Sequence, residues 1–167
     1  PLLAAPAQNP EAPTEDGQTD IGSGPVPEHL SSPRSTMRSY MEAIHDVMVN
    51  QQTERIDDAM ETMAFSDQIR AANGPELAKL LREIIDRVRF VIYDHIPDYD
   101  EGSAYVFYRG ESGSVVIGRQ EDGRWLFTLE TIETLSELYL EMESKPVVSR
   151  VVANPRYVPG WQRIRSW

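Results

Sequence analysis

The sequence predicts a two-layer α+β domain, in which three N-terminal helices and one C-terminal helix pack on a three-stranded antiparallel meander. Apolar residues recur every three or four positions in four stretches of the chain, a period that is typical of amphipathic helices. Between the third and fourth stretches, three short runs rich in β-branched and aromatic residues indicate strands. Because no helix separates these runs, we expect them to pair antiparallel, which excludes a βαβ architecture.

Residues 1–31 are expected to form a disordered, acidic, Pro/Ala-rich linker. They contain six prolines, five acidic residues, no basic residue and few large apolar side chains. Such a segment buries too little apolar surface to offset the entropy lost on ordering. Residues 2–7, with the small-x-small pattern Ala5-Pro6-Ala7, are either the end of an export signal or simply the start of this linker.

The folded domain is predicted to span residues 32–143 and to begin with two helices. Ser32 is a helix cap, and Pro33 suits the first helical position because its missing N–H needs no partner there. The first helix is predicted over residues 33–51, and the second runs from Thr53 to near Phe65. The residues expected to face inward are Met37, Tyr40, Met41, Ile44, Val47 and Met48 in the first helix, and Ile56, Ala59, Met60 and Met63 in the second.

Gly74 and Pro75 mark the next boundary, after a polar connection that starts at Ser66. The third helix is predicted over residues 75–93, with a strong apolar stripe that includes Leu81 and Ile85. Its last part, residues 88–93, is β-branched and aromatic, so a strand there is an open alternative.

Residues 94–102 are predicted to form a loop, followed by strands at 103–108, 114–119 and 124–127. Asp122 and Gly123 indicate a type I′ hairpin turn, in which both central residues have positive φ. A helix with an apolar stripe over residues 129–142 follows directly, and either Thr128 or Thr131 is its cap. The core is expected to contain Trp125 or Phe127, with Leu81, Ile85, Leu135 and Leu138.

The net charge of −11 argues against a nucleic-acid partner. The two ends of the chain have opposite charges, which leaves 22 acidic against 11 basic residues at positions 32–143. That excess repels a phosphate backbone. The chain has no cysteine, which neither requires nor forbids an oxidising compartment, and no apolar run approaches the ~20 residues that cross a bilayer.

No pattern in the sequence indicates catalysis, and no cofactor is expected. His29, His45 and His95 are the candidates for proton transfer, but no nucleophile elbow or phosphate-binding loop accompanies them. Their interpretation as ordinary surface or boundary histidines is favoured, and the chain is therefore predicted not to be an enzyme.

Asp98, Asp100 and Glu101 precede Gly102 and resemble part of a calcium-binding loop. A full EF-hand loop needs a glutamate six residues after the glycine, where this chain has Tyr108. A solvated acidic loop is thus the favoured interpretation, with calcium binding through residues 94–101 as the alternative. A zinc site that adds His95 is less favoured, because a second histidine or a cysteine is expected there.

Residues 144–167 are predicted to form a basic, aromatic connector towards a membrane span. Aromatic rings and cations suit a membrane interface, where the ring lies at headgroup level and the cation meets lipid phosphate. The alternative is a C-terminal segment that docks on the domain through its tryptophans. The proposed membrane-proximal residues are Tyr157, Trp161, Arg163, Arg165 and Trp167.

Three segments resemble the extracytoplasmic domains that precede the membrane region in some large members of the small-conductance mechanosensitive channel (MscS-like) family. The first is residues 32–37 (SPRSTM), the second is residues 74–87, and the third is residues 125–139. Within these segments the similar residues are Gly74, Pro75, Glu76, Leu77, Ala78, Leu81, Ile85, Asp86, Arg87, Trp125, Leu126, Phe127, Thr128, Thr131, Ile132, Leu138 and Tyr139. The ending at residues 161–167 is similar to the approach to the first membrane helix.

The resemblance implies a non-catalytic accessory, sensing or assembly domain of a mechanosensitive ion channel. It implies a periplasmic location at the inner membrane. The implied partners are the remainder of the channel, as a homo-oligomer, and the membrane surface near the C-terminus. The alternative is a free-standing periplasmic adaptor that binds a protein or small molecule in a crevice between the sheet and the helices.

Overall fold

The computed structural model describes residues 24–148, and within them it confirms the α+β class. The described residues form five α-helices, one three-stranded antiparallel sheet and three short 3-10 turns. The helices are α1 (Pro33–Met48), α2 (Ile56–Glu61), α3 (Asp67–Val88), α4 (Leu129–Glu133) and α5 (Leu135–Met142). The strands are β1 (Tyr105–Arg109), β2 (Ser114–Arg119) and β3 (Trp125–Phe127), and the 3-10 turns are Glu28–Leu30, Thr53–Arg55 and Tyr93–His95.

The sheet is the predicted meander, with strand order β1-β2-β3. A β-bulge interrupts the β1–β2 register between Val106 and Tyr108. The outer edge of β3 is covered by the chain that follows α2, because the Phe127 N–H donates to the Thr62 carbonyl (2.9 Å) and its carbonyl accepts from the Ala64 N–H (2.8 Å). This contact fixes α2 against the sheet.

The predicted core is confirmed, and its centre lies where α1 crosses β3. The Tyr40 ring packs edge-on against the Phe127 ring, with centroids 5.1 Å apart. Both Trp125 and Phe127 are fully buried, although the sequence predicted only that one of the two would lie in the core. The other predicted core residues are also fully buried: Leu81, Ile85, Leu135 and Leu138.

The folded domain begins earlier than the predicted residue 32. The first helix, α1, ends earlier than the predicted residue 51. The turn Glu28–Leu30 precedes α1, and Leu30 is fully buried, so at least this part of residues 1–31 belongs to the folded domain. Ser32 and Ser35 form a capping box, as Ser32 was predicted to cap. The helix stops at Met48 instead of residue 51, and Gln51 has a positive φ of 59°, which is incompatible with continuing the helix.

The second helix is shorter than predicted because the sheet competes for its last residues. Thr53–Arg55 is a 3-10 turn, and only Ile56–Glu61 is α-helical. Thr62 and Ala64 use their backbone groups on β3, so the helix cannot extend to Phe65. This pairing depends on residues far along the chain, and no local pattern indicates it.

The third helix begins eight residues before the predicted start. Ser66, assigned to a connection by its polarity, caps α3 by accepting the Ile69 N–H at 3.2 Å. The boundary at Gly74 and Pro75 is a kink inside the helix, where Asn73 leaves helical geometry (φ −142°, ψ 15°). Proline removes a helical hydrogen bond and clashes with the preceding turn, which accounts for a kink at this position.

The predicted end of the third helix at residue 93 is wrong, and so is the alternative of a strand at residues 88–93. The helix ends at Val88, Arg89 is extended (φ −172°, ψ 171°), and Tyr93–His95 forms a 3-10 turn. Phe90 and Ile92 are 42% and 49% exposed, so their apolar side chains have no sheet to join. High β-propensity requires a partner surface, which the fold does not provide here.

Two further corrections concern the C-terminal half. The predicted type I′ turn is wrong, because Gly123 (φ 88°) has positive φ and Asp122 does not. The Gly123 N–H donates to the Gln120 carbonyl and the Gln120 N–H to the Arg124 carbonyl, which gives a three-residue loop ending in a left-handed glycine. The single predicted C-terminal helix is divided at Thr134, whose hydroxyl donates to the Glu130 carbonyl, an interaction that bends helices.

Residues 1–23 of the predicted linker (1–31) and residues 149–167 of the predicted connector (144–167) lie outside the described residues. They include the candidate export signal and all five proposed membrane-proximal residues. Within residues 24–148 no helix is long and apolar enough to span a membrane.

Candidate functional site

The three histidines lie in three different places. His29 Nε2 lies 3.4 Å from a Glu61 carboxylate oxygen, with both side chains about half exposed. His95 is exposed in the 3-10 turn after α3. His45, in the last turn of α1, lines a surface groove and is therefore the histidine of most functional interest.

The acidic loop before β1 makes structural contacts. One Asp98 oxygen accepts the Ser32 hydroxyl at 2.6 Å, and the other lies 3.7 Å from the Arg34 guanidinium. The Asp100 carbonyl accepts the Trp125 Nε1–H at 3.2 Å, while Glu101 is exposed. The loop thus holds the start of α1 and the central tryptophan, and across residues 24–148 no three His, Cys, Asp or Glu side chains are grouped to hold a metal ion.

A shallow groove opens between α1 and α3, with a volume of about 400 Å³. This size lies in the range of small-ligand sites, roughly 300–1,000 Å³. Four lining residues come from α1 and one from α3, and the 3-10 turns before α2 and after α3 provide the other two. The lining residues are Met41, Glu42, His45, Asp46, Arg55, Arg82 and Tyr93.

One side of the groove is formed by ion pairs whose charges are already compensated. Arg55 lies 3.2 Å from Asp46 and 2.7 Å from Asp58, so its charge is compensated twice. The Asn50 amide donates to the other Asp46 oxygen at 2.8 Å. These groups fix the turn after α1 and retain little capacity for a ligand.

The opposite side is held by a buried ion pair. Arg82 Nε donates to an Asp86 oxygen at 2.8 Å, and Asp86 is fully buried. The Arg82 side chain is 13% exposed. A guanidinium carries five N–H donors in a planar fork. Since the contact to Asp86 uses only Nε, the Arg82 terminal nitrogens make no hydrogen bond within residues 24–148 and are oriented by a fixed carboxylate.

Tyr93 joins this side of the groove through its ring and its hydroxyl. The Arg38 guanidinium lies over the Tyr93 ring, 4.9 Å from the centroid. Burial raises the pKa of the Tyr93 hydroxyl, and the Glu42 carboxylate raises it further, while Arg38 and Arg82 act in the opposite direction. The raised pKa keeps this hydroxyl protonated at neutral pH.

The sequence reasoning did not identify the groove. His45 had been considered as a catalytic group, but Glu42, Arg82 and Tyr93 are far apart along the chain and carry no motif. The only local signal was the spacing of Met41, Glu42 and His45, which places them near one another on α1. The groove is not the predicted crevice between sheet and helices, because no strand residue lines it.

No protein-family model, curated protein or solved structure matches this chain.

Proposed function

We propose that this chain is an extracytoplasmic accessory domain of an MscS-like channel, with a sensing or assembly role and no part in the pore. In this proposal the domain lies on the periplasmic side of the inner membrane. Its partners are the remainder of a homo-oligomeric channel and, near the C-terminus, the membrane surface.

A buried contact between the first and third segments of the resemblance, and a second contact from α1 to the middle segment, carry the proposal. The Thr36 hydroxyl, from the first segment, donates to the Trp125 carbonyl in the third. One turn further along α1, the Tyr40 hydroxyl donates to the Ala78 carbonyl in the second segment at 2.7 Å. All four residues are buried, and three of them, Thr36, Ala78 and Trp125, belong to the segments of the resemblance. This supports a shared scaffold more strongly than similarity at scattered surface positions would.

Membrane topology of the full-length gene product tests this proposal. We expect several apolar runs of ~20 residues to follow Trp167 within a short distance. An alkaline phosphatase fusion at Trp167 should be active, as in the periplasm, and a green fluorescent protein fusion at the same site should be dark. A gene that ends at Trp167, or a bright fluorescent fusion, would exclude the channel proposal.

A second candidate function is a ligand-binding adaptor, which the groove between α1 and α3 favours. The groove combines an apolar surface from Met41 with charged groups that have unused hydrogen-bonding capacity. Binding of a small molecule there should shift the nuclear magnetic resonance signals of His45 and Tyr93 and leave those of the loop at residues 94–102 unchanged.

Calcium binding through residues 94–101 is the remaining form of this alternative. Asp98 already accepts the Ser32 hydroxyl and faces Arg34, so calcium has to compete with both. Titration calorimetry with calcium decides the point. Micromolar binding that is lost in the double substitution Asp98→Asn and Asp100→Asn would establish the calcium site, and an absence of heat would remove it.

A further inference from the structure

The groove between α1 and α3 carries equal numbers of fixed positive and negative charges. Glu42 and Asp46 oppose Arg55 and Arg82, so with His45 neutral the lining has no net charge. The remainder of the chain is strongly acidic, with a net charge of −11 overall. A balanced groove on an acidic protein is thus an electrostatically distinct surface.

The charges that remain available lie on both α1 and α3. Asp46 and Arg55 compensate each other. Glu42 is exposed and makes no hydrogen bond or ion pair within residues 24–148, and the Arg82 terminal nitrogens are likewise unused there. The groove therefore offers one free carboxylate and one guanidinium oriented by Asp86, and Tyr93 lines the same groove.

A ligand with a single charge fits this arrangement poorly. A simple anion is attracted by Arg82 but repelled by Glu42. A simple cation is attracted by Glu42 but repelled by Arg82. A ligand with separated carboxylate and ammonium groups satisfies both and adds no net charge. Met41 and the Tyr93 ring provide apolar contact for the rest of such a molecule.

We propose that the groove binds a small zwitterion of the α-amino acid type. Arg82 and the Tyr93 hydroxyl bind the carboxylate, Glu42 binds the ammonium group, and Met41 contacts the side chain. His45, one turn after Met41 on α1, borders the same space. This inference rests on the second candidate function, that the groove is a ligand site, and it names the ligand class.

The test uses the full chain labelled with ¹⁵N and ¹³C, and matched sets of probes. Each set contains an amino acid, its decarboxylated amine and its deaminated acid, for example L-leucine, isoamylamine and 4-methylvalerate, or L-phenylalanine, phenethylamine and 3-phenylpropionate. We expect at least one amino acid to shift the Glu42, His45 and Tyr93 signals with at least about tenfold higher affinity than either partner of its set.

Substitutions locate the binding groups. Glu42→Gln removes the proposed ammonium partner and should weaken binding at least about fivefold. Glu137→Gln is the matched control. Glu137 is an exposed residue of α5 outside the groove, and its substitution should leave affinity unchanged. Arg82→Lys keeps a charge beside Asp86 but loses the planar fork, and it should weaken binding about tenfold. A thermal unfolding curve for each variant shows that it remains folded.

The possible results separate the ligand class from the ligand site. If an amine or an acid binds as tightly as its amino acid, or if Glu137→Gln weakens binding as much as Glu42→Gln, the zwitterion inference is wrong. The groove then still counts as a ligand site whenever the shifts are confined to its lining. If no probe at about 10 mM shifts any groove signal, the zwitterion inference is overturned. The adaptor function then depends on ligands of another class and on the calcium titration, and the channel proposal depends on topology alone.

Discussion

The contacts around β3 and the groove between α1 and α3 use their polar groups in opposite ways. Around β3, Thr36 donates to the Trp125 carbonyl, and the Trp125 Nε1–H donates to the Asp100 carbonyl. These groups are matched one to one, and Thr36 and Trp125 are fully buried. In the groove, by contrast, Glu42 and the Arg82 terminal nitrogens have no such matched partners within the described residues.

The difference indicates which polar residues stabilise the fold and which are available for binding. A buried hydrogen bond contributes mainly because removing one partner leaves the other unsatisfied and desolvated. Removing an exposed, unpaired carboxylate leaves no buried partner unsatisfied, so it carries no such cost. Substitutions around β3 should therefore lower stability, and substitution of the exposed Glu42 carboxylate should change binding with little effect on stability.

Trp125→Ala should give the largest effect in the region of β3. The side chain is fully buried and lies against Tyr99, with ring centroids 5.6 Å apart. We expect the free energy of unfolding to fall by ~3–5 kcal/mol, as for other large buried aromatic residues. Urea denaturation followed by circular dichroism measures it, with Leu140→Ala as the exposed control, since Leu140 is 68% exposed. A loss below ~1 kcal/mol would show that Trp125 is not central to the core.

Thr36→Val should have an intermediate effect in the same region. The substitution keeps the shape of the side chain and removes the hydroxyl that serves the Trp125 carbonyl. An unsatisfied buried acceptor is expected to lower the free energy of unfolding by about 1–2 kcal/mol. The matched control is Thr53→Val, at an exposed position. Equal losses in the two variants would contradict the role of the Thr36 contact.

Glu42→Gln should change stability by less than ~0.5 kcal/mol, because the carboxylate is exposed and unpaired. It should nevertheless lower the pKa of the Tyr93 hydroxyl, since the Glu42 charge is one of the causes that raise it. An NMR titration of the Tyr93 ring signals tests this against Glu137→Gln, which should leave the Tyr93 pKa unchanged. An unchanged value in both variants would place Glu42 outside the groove.

Glu141→Gln should have the smallest effect, and one that depends on pH. The N–H groups of Ser112 and Glu111 bind the Glu141 carboxylate and lower its pKa. A group with a lowered folded pKa stabilises the fold above its unfolded pKa, and this contribution is lost as pH falls through the folded pKa. Glu141→Gln should therefore be slightly less stable than the native chain at pH 7 and equally stable at pH 2. A stability difference that stays constant between these pH values would count against the prediction.

Local patterns were sufficient where one residue type controls a local geometry. Ser32 and Pro33 were predicted to start α1 because capping depends only on neighbouring backbone groups, and the structure places them so. The second strand was predicted with its observed bounds, Ser114–Arg119. The apolar stripes identified most of the buried residues, since a helix that packs on one face must repeat every three or four positions, although Met41, Met48 and Ile56 are only partly buried.

Helix ends and the groove could not be predicted, because both depend on distant residues. The second helix ends where Thr62 and Ala64 hydrogen-bond to Phe127, more than 60 residues later in the chain. The groove brings together Glu42, Arg82 and Tyr93 through the packing of α1 on α3. Neither arrangement has a period or a motif that a single sequence displays.

The sequence by itself determined the α+β class, the order of strands and most of the core, because burial of an apolar face imposes a period that is readable along the chain. The tertiary structure alone decided which polar groups are used up and which remain free. Asp98 carried a metal-binding hypothesis in the sequence, and in the structure its carboxylate is occupied by Ser32. Arg82 carried none, and in the structure it binds the buried Asp86 carboxylate through Nε and lines the groove. A hydrogen bond is satisfied or left open by atoms that meet only after folding, which is why the free charges of the groove became apparent only in three dimensions.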